Sequence, residues 1–271
     1  MSDTLRSGQL FHWEPHRIDG IDGFAGCIGA EPPSWIAQPE PDVLLVSGPD
    51  LERVISYFGI EQPMSTVHAT FPQNDAVLAE AMAYCPGIRL ACQPVWECLA
   101  TFITSSLKQV AHIRGISLQL RSRFGRKFFY DERSFFAYPE PLAIAEAGEA
   151  ALRECALGYR AKSLHRAAVD IVEGRFDLES MSQGTMDEED LRDELLKLHG
   201  VGEKIANCTL LFGCGKWGAF PIDVWIERIL REKYRKRLKG AKLQQWAVNY
   251  FGENAGYAQQ YLFHFARKTL K

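Results

Sequence analysis

A lysine and an aspartate near the end of the chain have the types and spacing needed for chemistry on a sugar. Both lie in the stretch LHGVGEKIANCTLLFGCGKWGAFPIDVW, residues 198–225. Lys204 follows a Gly-Val-Gly turn at a predicted helix start, where the helix dipole disfavours positive charge and favours the neutral amine. A neutral amine is a nucleophile that forms Schiff bases. Asp223 begins the next helical pattern, so an amine and a carboxylate in one cleft could attack C1′ and stabilise a cationic transition state.

Each of these side chains also has a plainer interpretation. Lys204 could be an exposed lysine that only contacts phosphate, and Asp223 could do no more than cap its helix. Cys208 falls one helical turn after Lys204, on the same face. Gln259 and Phe263 share one face of the last predicted helix, which is also the spacing of ordinary core packing. These alternatives remain open from spacing alone.

The elements that must position Lys204 are two helices joined by glycines. DEEDLRDELLKL predicts a helix that stops at His199-Gly200, and EKIANCTLLFG predicts the next one. Gly200 and Gly202 permit positive φ and close backbone approach, and the free N–H groups at a helix start suit a phosphate. This hairpin, at about residues 190–214, is therefore a candidate contact with a nucleic-acid backbone, although glycine turns join many helix pairs that bind nothing.

The composition is that of an ordinary globular protein. Of 271 residues, 46% are hydrophobic and 24% charged, with no low-complexity tract. No apolar run approaches the roughly 20 residues of a membrane helix, so we expect no membrane association. The N-terminal stretch MSDTLRSGQLFHW does not have the pattern of a secretory signal. The seven cysteines form no C-x-x-C pair, which favours reduced thiols in an intracellular protein.

The net charge of −3 hides an asymmetry along the chain. Residues 1–100 carry 4 Lys and Arg against 13 Asp and Glu, whereas the rest of the chain carries 27 against 21. The positive charge is concentrated in residues 112–127 and 228–242. Such clusters supply the sequence-independent attraction of a nucleic-acid binder for phosphate, and a solvated basic helix face explains them equally well.

The periodicity of the chain changes near residue 88. Before it, short runs within residues 23–48 predict strands of a small antiparallel sheet, followed by helices around 50–58 and 75–84. After it, the 3.6-residue period dominates, from PVWECLATFITSSL to AGYAQQYLFHFARKTL. We therefore predict an α+β protein with an N-terminal antiparallel sheet domain, residues 1–88, and a dominant all-helical core, residues 89–271. The last helix is expected at residues 255–270.

Several segments of the chain together carry a resemblance to one known family. LHGVGEK followed by AFPIDVWIERIL resembles the hairpin and Gly/Pro…Asp motif of DNA glycosylases. Five further segments are SGQLFHW, YFGI, GIRLACQPVWECLATFITSS, LGYRAK and AGYAQQYLF. In their sequences and their order, these segments resemble the 8-oxoguanine DNA glycosylases of the helix-hairpin-helix superfamily. The resemblance covers nearly the whole chain and implies a helix-hairpin-helix glycosylase core.

The resemblance also implies a role for each matching residue. Lys204 matches the nucleophile that forms the Schiff base, and Asp223 matches the catalytic aspartate. The positions that match residues of the base pocket are Gly8, Cys208, Pro221, Gln259 and Phe263. In the family, the glycine carbonyl accepts the N7 proton of 8-oxoguanine, the cysteine and phenylalanine sandwich the base, and the glutamine reads its Watson–Crick edge.

The chain departs from the family pattern at the base opposite the lesion. Leu107 stands where the family has a wedge asparagine, and His112 stands where it has an arginine that contacts the orphaned cytosine. Leucine can fill the space between unstacked bases, but histidine lacks the fork of a guanidinium. Tyr159 and Arg160 match the other residues at that base. A relaxed preference for cytosine is therefore expected.

The predicted function is base-excision repair by a bifunctional DNA glycosylase and lyase acting on double-stranded DNA that contains oxidised guanine. One alternative is a non-enzymatic helix-hairpin-helix module that only binds DNA, and another is a glycosylase for a different damaged base. No cysteine follows Cys214, so we expect no iron–sulfur cluster of the endonuclease III type and no metal. A monovalent cation at the hairpin carbonyls is compatible with the pattern. We expect a monomer that acts on DNA inside the cell, in the nucleoid or the nucleus.

Overall fold

The computed structural model describes residues 1–105 and 109–270. Near the N-terminus, a four-stranded antiparallel sheet has the order β1-β2-β3-β4. The strands are β1 Glu14–Ile18, β2 Ile21–Cys27, β3 Pro33–Glu40 and β4 Val43–Ser47. The predicted antiparallel sheet is confirmed. It contains one strand that was not predicted, β1, whose only buried side chain is that of His16.

A second, two-stranded sheet lies in the middle of the chain. Its strands are β5 Lys127–Tyr130 and β6 Arg133–Phe136, joined by a tight turn in which Asp131 and Glu132 have positive φ. Phe135 packs in one apolar cluster with Ala25 and Trp35 of the first sheet. The hairpin therefore covers a face of the first sheet, and the basic segment that ends at Lys127 is only partly helical.

Fourteen α-helices account for most of the described residues, and they confirm the predicted α+β class with a helical core. The helices before residue 126 are α1 Ser2–Arg6, α2 Leu51–Tyr57, α3 Met64–Ala69, α4 Ala76–Tyr84, α5 Val95–Ser105 and α6 Val110–Phe124. The later helices are α7 Pro141–Leu152, α8 Arg160–Val172, α9 Leu178–Ser182, α10 Glu188–Lys197, α11 Glu203–Phe212, α12 Val224–Glu232, α13 Gly240–Phe251 and α14 Ala255–Thr269.

Helices α10 and α11 form the predicted helix-hairpin-helix. The Asp187 carboxylate caps α10 by accepting a hydrogen bond from the backbone N–H of Asp190 at 2.9 Å. Gly200 in the turn has φ +82°, and a Cβ there would lie 2.2 Å from Ser163 Oγ of α8. Only glycine fits this position, because the backbone conformation and the neighbouring helix both exclude a side chain.

Helix α11 runs through the middle of the helical core. Every side chain from Ile205 to Phe212 is buried, and helix α5 packs alongside it. The rings of Phe102 and Phe212 stack with centroids 5.6 Å apart across these two helices. Close packing on all sides leaves the start of α11 little freedom to move, which fixes the direction in which its first turn points.

A buried ion pair joins the sheet to the helices. The Glu97 carboxylate on α5 accepts hydrogen bonds from Arg121 of α6 and, at 2.9 Å, from the backbone N–H of Gly29 just after β2. His12 Nδ1 lies 3.3 Å from the same carboxylate. Burial raises the pKa of Glu97, and the charge of Arg121 opposes that shift. Loss of either charged partner would leave the other buried and unpaired, which is strongly destabilising.

The domain boundary near residue 88 stays a prediction. Helix α4, which precedes it, packs against α14 at the other end of the chain. Leu78 and Ala81 of α4 lie in the same apolar core as Leu262 and Ala266 of α14. The helices on both sides of residue 88 thus share one core.

Candidate active site

A single cleft of about 1170 Å³ brings together the residues predicted for catalysis and for the base pocket. It lies between the loop after α1, the facing ends of α5 and α6, and helices α11, α12 and α14. Its lining includes the predicted residues Gly8, Lys204, Cys208, Pro221, Asp223, Gln259 and Phe263. Residues from the two ends of the sequence therefore meet in one concave site.

Lys204 projects from the first turn of α11 and is held by the end of α5. Its Nζ donates a hydrogen bond to Ser105 Oγ at 2.9 Å and lies 4.9 Å from the centre of the Phe102 ring. Ser105 Oγ in turn donates to the carbonyl of Phe102 at 2.8 Å. Because the only hydroxyl hydrogen of Ser105 is used there, Ser105 can act only as an acceptor toward Lys204. A neutral Lys204 amine would therefore keep its lone pair for the cleft.

Asp223 both caps a helix and lines the cleft. Its Oδ1 accepts hydrogen bonds from the backbone N–H groups of Trp225 at 3.0 Å and Ile226 at 2.9 Å, at the start of α12. Both cap bonds use Oδ1, so Oδ2 takes no part in the cap. Burial raises the pKa of Asp223, while the hydrogen bond from Ile226 and the charge of Lys204 oppose that shift. The capping interpretation is correct, and it does not exclude a catalytic one.

Cys208 and Phe263 supply apolar surface to the cleft. Cys208 is buried one turn beyond Lys204, and burial raises the pKa of its thiol to about 11, so it is neutral at pH 7. The half-buried Phe263 ring lies across from Gly8, since a Cβ on Gly8 would be 3.0 Å from Phe263 Cε1. Gly8 has φ +90°, a conformation that favours glycine. A side chain at residue 8 would fill the space beside this ring.

Gln259 presents an unsatisfied acceptor in the cleft. Its Nε2 donates to the carbonyl of Pro221 at 3.1 Å, which fixes the side chain. Its Oε1 is buried and has no hydrogen-bond partner among the described residues. A buried acceptor without a partner costs free energy, so this atom is suited to accept a hydrogen bond from a bound molecule.

The hairpin offers free backbone donors at the start of α11. Gly202 is the N-cap residue, and no side-chain hydrogen bond caps the helix there. Gly202 is exposed, and a Cβ added to it would have no neighbouring atom within 4 Å. The first N–H groups of α11 therefore have no side-chain cap, and their role in binding a phosphate stays a prediction.

The chain is similar to proteins named as DNA glycosylases, although no family model matches its sequence. A probable N-glycosylase/DNA lyase of Methanothermobacter thermautotrophicus is 29% identical over 204 residues. The aligned region covers 68% of this chain and spans 64% of the archaeal protein, slightly less than two thirds of its length.

Two solved structures match nearly the whole chain. The structure of MBOgg1 in complex with a low-affinity DNA ligand superposes with a TM-score of 0.91 at 28% identity, covering 100% of this chain and 93% of that one. The 8-oxoguanine glycosylase/lyase of Clostridium acetobutylicum, in complex with DNA containing cytosine opposite 8-oxoguanine, gives a TM-score of 0.89 at 27% identity and covers 98% and 91%. Over nearly its whole length, the chain is therefore similar in sequence and in fold to an 8-oxoguanine glycosylase/lyase.

Of the residues predicted to contact the opposite base, the three that the structure describes, His112, Tyr159 and Arg160, lie outside the lining of the cleft. Tyr159 is 63% exposed, and the guanidinium of Arg160 at the start of α8 lies 4.4 Å from its ring centre. His112 is exposed on α6. Leu107 lies outside the described residues. Their roles at the opposite base stay predictions.

The cleft also contains polar and aromatic residues that the sequence did not predict, and three of them lie beside predicted site residues. Ser105 and Phe102 at the end of α5 contact Lys204, and no local pattern links α5 to α11. Arg267 follows Phe263 by one turn on α14, and the spacing of Gln259, Phe263 and Arg267 along one helix face could have indicated it.

The described residues contain neither a cluster of metal-ligating side chains nor a helix that could span a membrane. Within residues 1–105 and 109–270, no group of three or more His, Cys, Asp or Glu side chains could hold a metal ion. The absence of an iron–sulfur cluster and the monovalent cation at the hairpin both stay predictions. In that same part of the chain, no helix is long and apolar enough to cross a membrane.

Proposed function

We propose that this chain is a bifunctional base-excision repair enzyme that excises 8-oxoguanine from duplex DNA and then cleaves the strand by β-elimination. The observation that carries this proposal is the meeting of Lys204 and Asp223 in one cleft with Cys208, Gln259 and Phe263. The similarity to the 8-oxoguanine glycosylase/lyase of Clostridium acetobutylicum supports it. A module that only binds DNA would need the hairpin, but it would not need an amine and a half-buried carboxylate together in the cleft.

The proposed substrate complex places the DNA backbone at the hairpin. The open N–H groups at the start of α11 bind a phosphate, and the basic segments 112–127 and 228–242 add sequence-independent attraction. The damaged nucleotide is flipped out of the stack, at a cost of roughly a few kcal/mol, into the space between Cys208 and Phe263. The unpartnered Oε1 of Gln259 is then available to a donor on the base.

The proposed reaction begins with the amine of Lys204. Its lone pair forms a bond to C1′ of the flipped nucleotide, and the bond between C1′ and the base breaks with its electron pair going to the base. The amine loses a proton and the departing base gains one, so the step balances. The carboxylate of Asp223 stabilises the positive charge that develops on the sugar, through the Oδ2 atom that the helix cap leaves unused.

The strand is cleaved in the second part of the reaction. Opening of the sugar ring gives an imine between Lys204 and C1′, and β-elimination removes a C2′ proton and expels the 3′ phosphate. The side chains already named in the cleft supply this chemistry, so we propose that the enzyme needs no cofactor. We further propose that it acts as a monomer on DNA inside the cell.

Borohydride reduction tests the proposal directly, because it traps the imine as a stable covalent complex. The duplexes would carry one 8-oxoguanine opposite each of the four bases, and the proteins would be the wild type and Lys204→Gln. We expect wild-type protein to release the base and to be trapped, and Lys204→Gln to bind DNA without either activity. A trapped complex of normal yield from Lys204→Gln would contradict the assignment of Lys204. The absence of base release by the wild type would favour a DNA-binding module or a glycosylase for another base.

A further inference from the structure

Arg267 brings a positive charge into the proposed base pocket. It lies on α14 one turn after Phe263 and lines the same cleft as Lys204 and Asp223. Its guanidinium carbon is 5.4 Å from the centre of the Phe263 ring. Its Nη1 is 2.8 Å from the point that a Cβ on Gly8 would occupy. The guanidinium therefore sits at the wall of the space that the flipped base would fill.

The position of this guanidinium is fixed by the N-terminal helix. Nη2 donates a hydrogen bond at 2.7 Å to the carbonyl of Arg6, which ends α1. Nε is buried and has no hydrogen-bond partner among the described residues. An anchored side chain loses little rotamer entropy on binding a ligand. The protein thus holds an oriented donor group beside Gly8 before any base arrives.

The charge of Arg267 is retained in this setting. Burial lowers the pKa of Arg267, and the carboxylate of Asp223 opposes that shift. An arginine side chain stays protonated in proteins at neutral pH. The cleft therefore contains a permanent cation on the side of the base, in addition to Lys204 on the side of the sugar.

A cation on the side of the base has a use in the proposed reaction. When the bond between C1′ and the base breaks, the electron pair goes to the base, and the negative charge spreads onto its ring nitrogens and carbonyl oxygens. An arginine that donates a hydrogen bond to such an oxygen binds the transition state more tightly than the neutral ground state. This difference accelerates bond cleavage.

We propose that Arg267 donates a hydrogen bond to a carbonyl oxygen of the flipped purine and stabilises the negative charge that the base acquires as it leaves. This inference rests on the proposed function, because it concerns the base-release step. The competing interpretation is that Arg267 only braces α1 against α14 through the carbonyl of Arg6. The two interpretations predict different rates on DNA with an abasic site. Stabilisation of a leaving base has no effect there, whereas loss of a structural brace would slow the reaction on both substrates.

The test compares two duplexes that differ only at one nucleotide, 8-oxoguanine or a preformed abasic site, each opposite cytosine. Single-turnover rates of base release on the first and of strand cleavage on the second are measured for wild type, Arg267→Met and Arg267→Lys. The matched control is Arg53→Met, which removes an exposed arginine of α2 that lies outside the cleft. Melting temperatures of all four proteins report on folding.

We expect Arg267→Met to slow base release by about 10- to 100-fold, the loss of one charge-assisted hydrogen bond. Its rate of strand cleavage at the abasic site should stay within about twofold of wild type, because no base leaves in that reaction. Arg267→Lys keeps the charge, so its rate of base release should lie between those of wild type and Arg267→Met. Arg53→Met should match wild type on both duplexes.

Two results would overturn the inference while leaving the proposed function intact. One is an Arg267→Met variant that releases 8-oxoguanine at the wild-type rate. The other is equal slowing on both duplexes, which would show a structural brace. A wild-type enzyme that processes neither duplex would instead overturn the proposed function, and this inference with it.

Discussion

Ser105 and Lys204 are joined by a hydrogen bond of 2.9 Å between two helices that are far apart in sequence. Ser105 accepts this bond and donates its own hydrogen to Phe102. The contact orients the amine without using its lone pair, which is what a nucleophile requires. A serine that donated to the amine instead would reduce its nucleophilicity.

Ser105→Ala should therefore slow both base release and cleavage at an abasic site, since Lys204 acts in both. We expect a loss of about 5- to 10-fold, comparable to one hydrogen bond of about 1 kcal/mol. DNA affinity should change little. The measurement is the single-turnover rate of borohydride trapping on abasic DNA. Unchanged trapping rates would show that packing in the cleft alone positions Lys204.

Asp223→Asn separates the capping role of this side chain from the catalytic one. Asparagine is as good an N-cap as aspartate, so its side-chain oxygen can still accept the bonds from Trp225 and Ile226. The charge is lost, and base release should fall about 100-fold or more while DNA binding persists. Rates at saturating DNA and the binding constant are measured in parallel. A variant with weakened binding and normal turnover would show that Asp223 serves only as a cap.

The same substitution should not lower the melting temperature at neutral pH. Burial raises the pKa of Asp223, so its ionised form opposes folding relative to a neutral group of the same shape. As the pH falls through the raised pKa, wild-type Asp223 becomes protonated and this penalty disappears. The difference in melting temperature between Asp223→Asn and wild type should therefore shrink on acidification. A difference that grows as the pH falls would contradict the sign of the shift.

The pH dependence of base release should reflect the same carboxylate. Only ionised Asp223 stabilises a sugar cation, so the wild-type rate should decline as the pH falls through a pKa above that of an ordinary aspartate. In Asp223→Asn, the small residual rate should lack this acidic limb. An identical limb in both proteins would assign it to another group.

His112 is the residue to change in a test of preference for the opposite base. Because it is exposed, a longer side chain can be placed there without disturbing the core. His112→Arg should increase the preference for cytosine by roughly 5- to 150-fold, the value of one bidentate contact. His112→Gln, which adds no guanidinium, is the matched control. Single-turnover rates on the four opposite-base duplexes measure the effect. A strong cytosine preference that is the same in wild type and in His112→Arg would contradict the prediction of relaxed specificity.

Local sequence was sufficient for the hairpin and for the cap at Asp223. Helix capping and glycine turns act within one helical turn, so α10, α11 and the start of α12 can be predicted from adjacent residues. The spacing of Gln259 and Phe263 also indicated a shared face on α14. The resemblance to a glycosylase family then connected these local patterns to one site.

Other elements have no clear local signal. Strand β1, EPHRI, contains a proline and buries only His16, so it shows no alternation of apolar residues. Its strand conformation depends on pairing with β2. Strands β5 and β6 follow a basic helix, and Phe135 of β6 is buried only because it packs on the first sheet.

The contacts that orient the reactive groups depend on the tertiary structure. Ser105 meets Lys204 because α5 packs beside α11, and Arg267 lies next to Gly8 because α14 returns to the N-terminal loop. Sequence alone determined which residue types could do the chemistry, through short-range rules of helices and turns. Which side chains hold the amine and face the base was decided by long-range packing, because such contacts join residues whose separation in sequence carries no periodic signal.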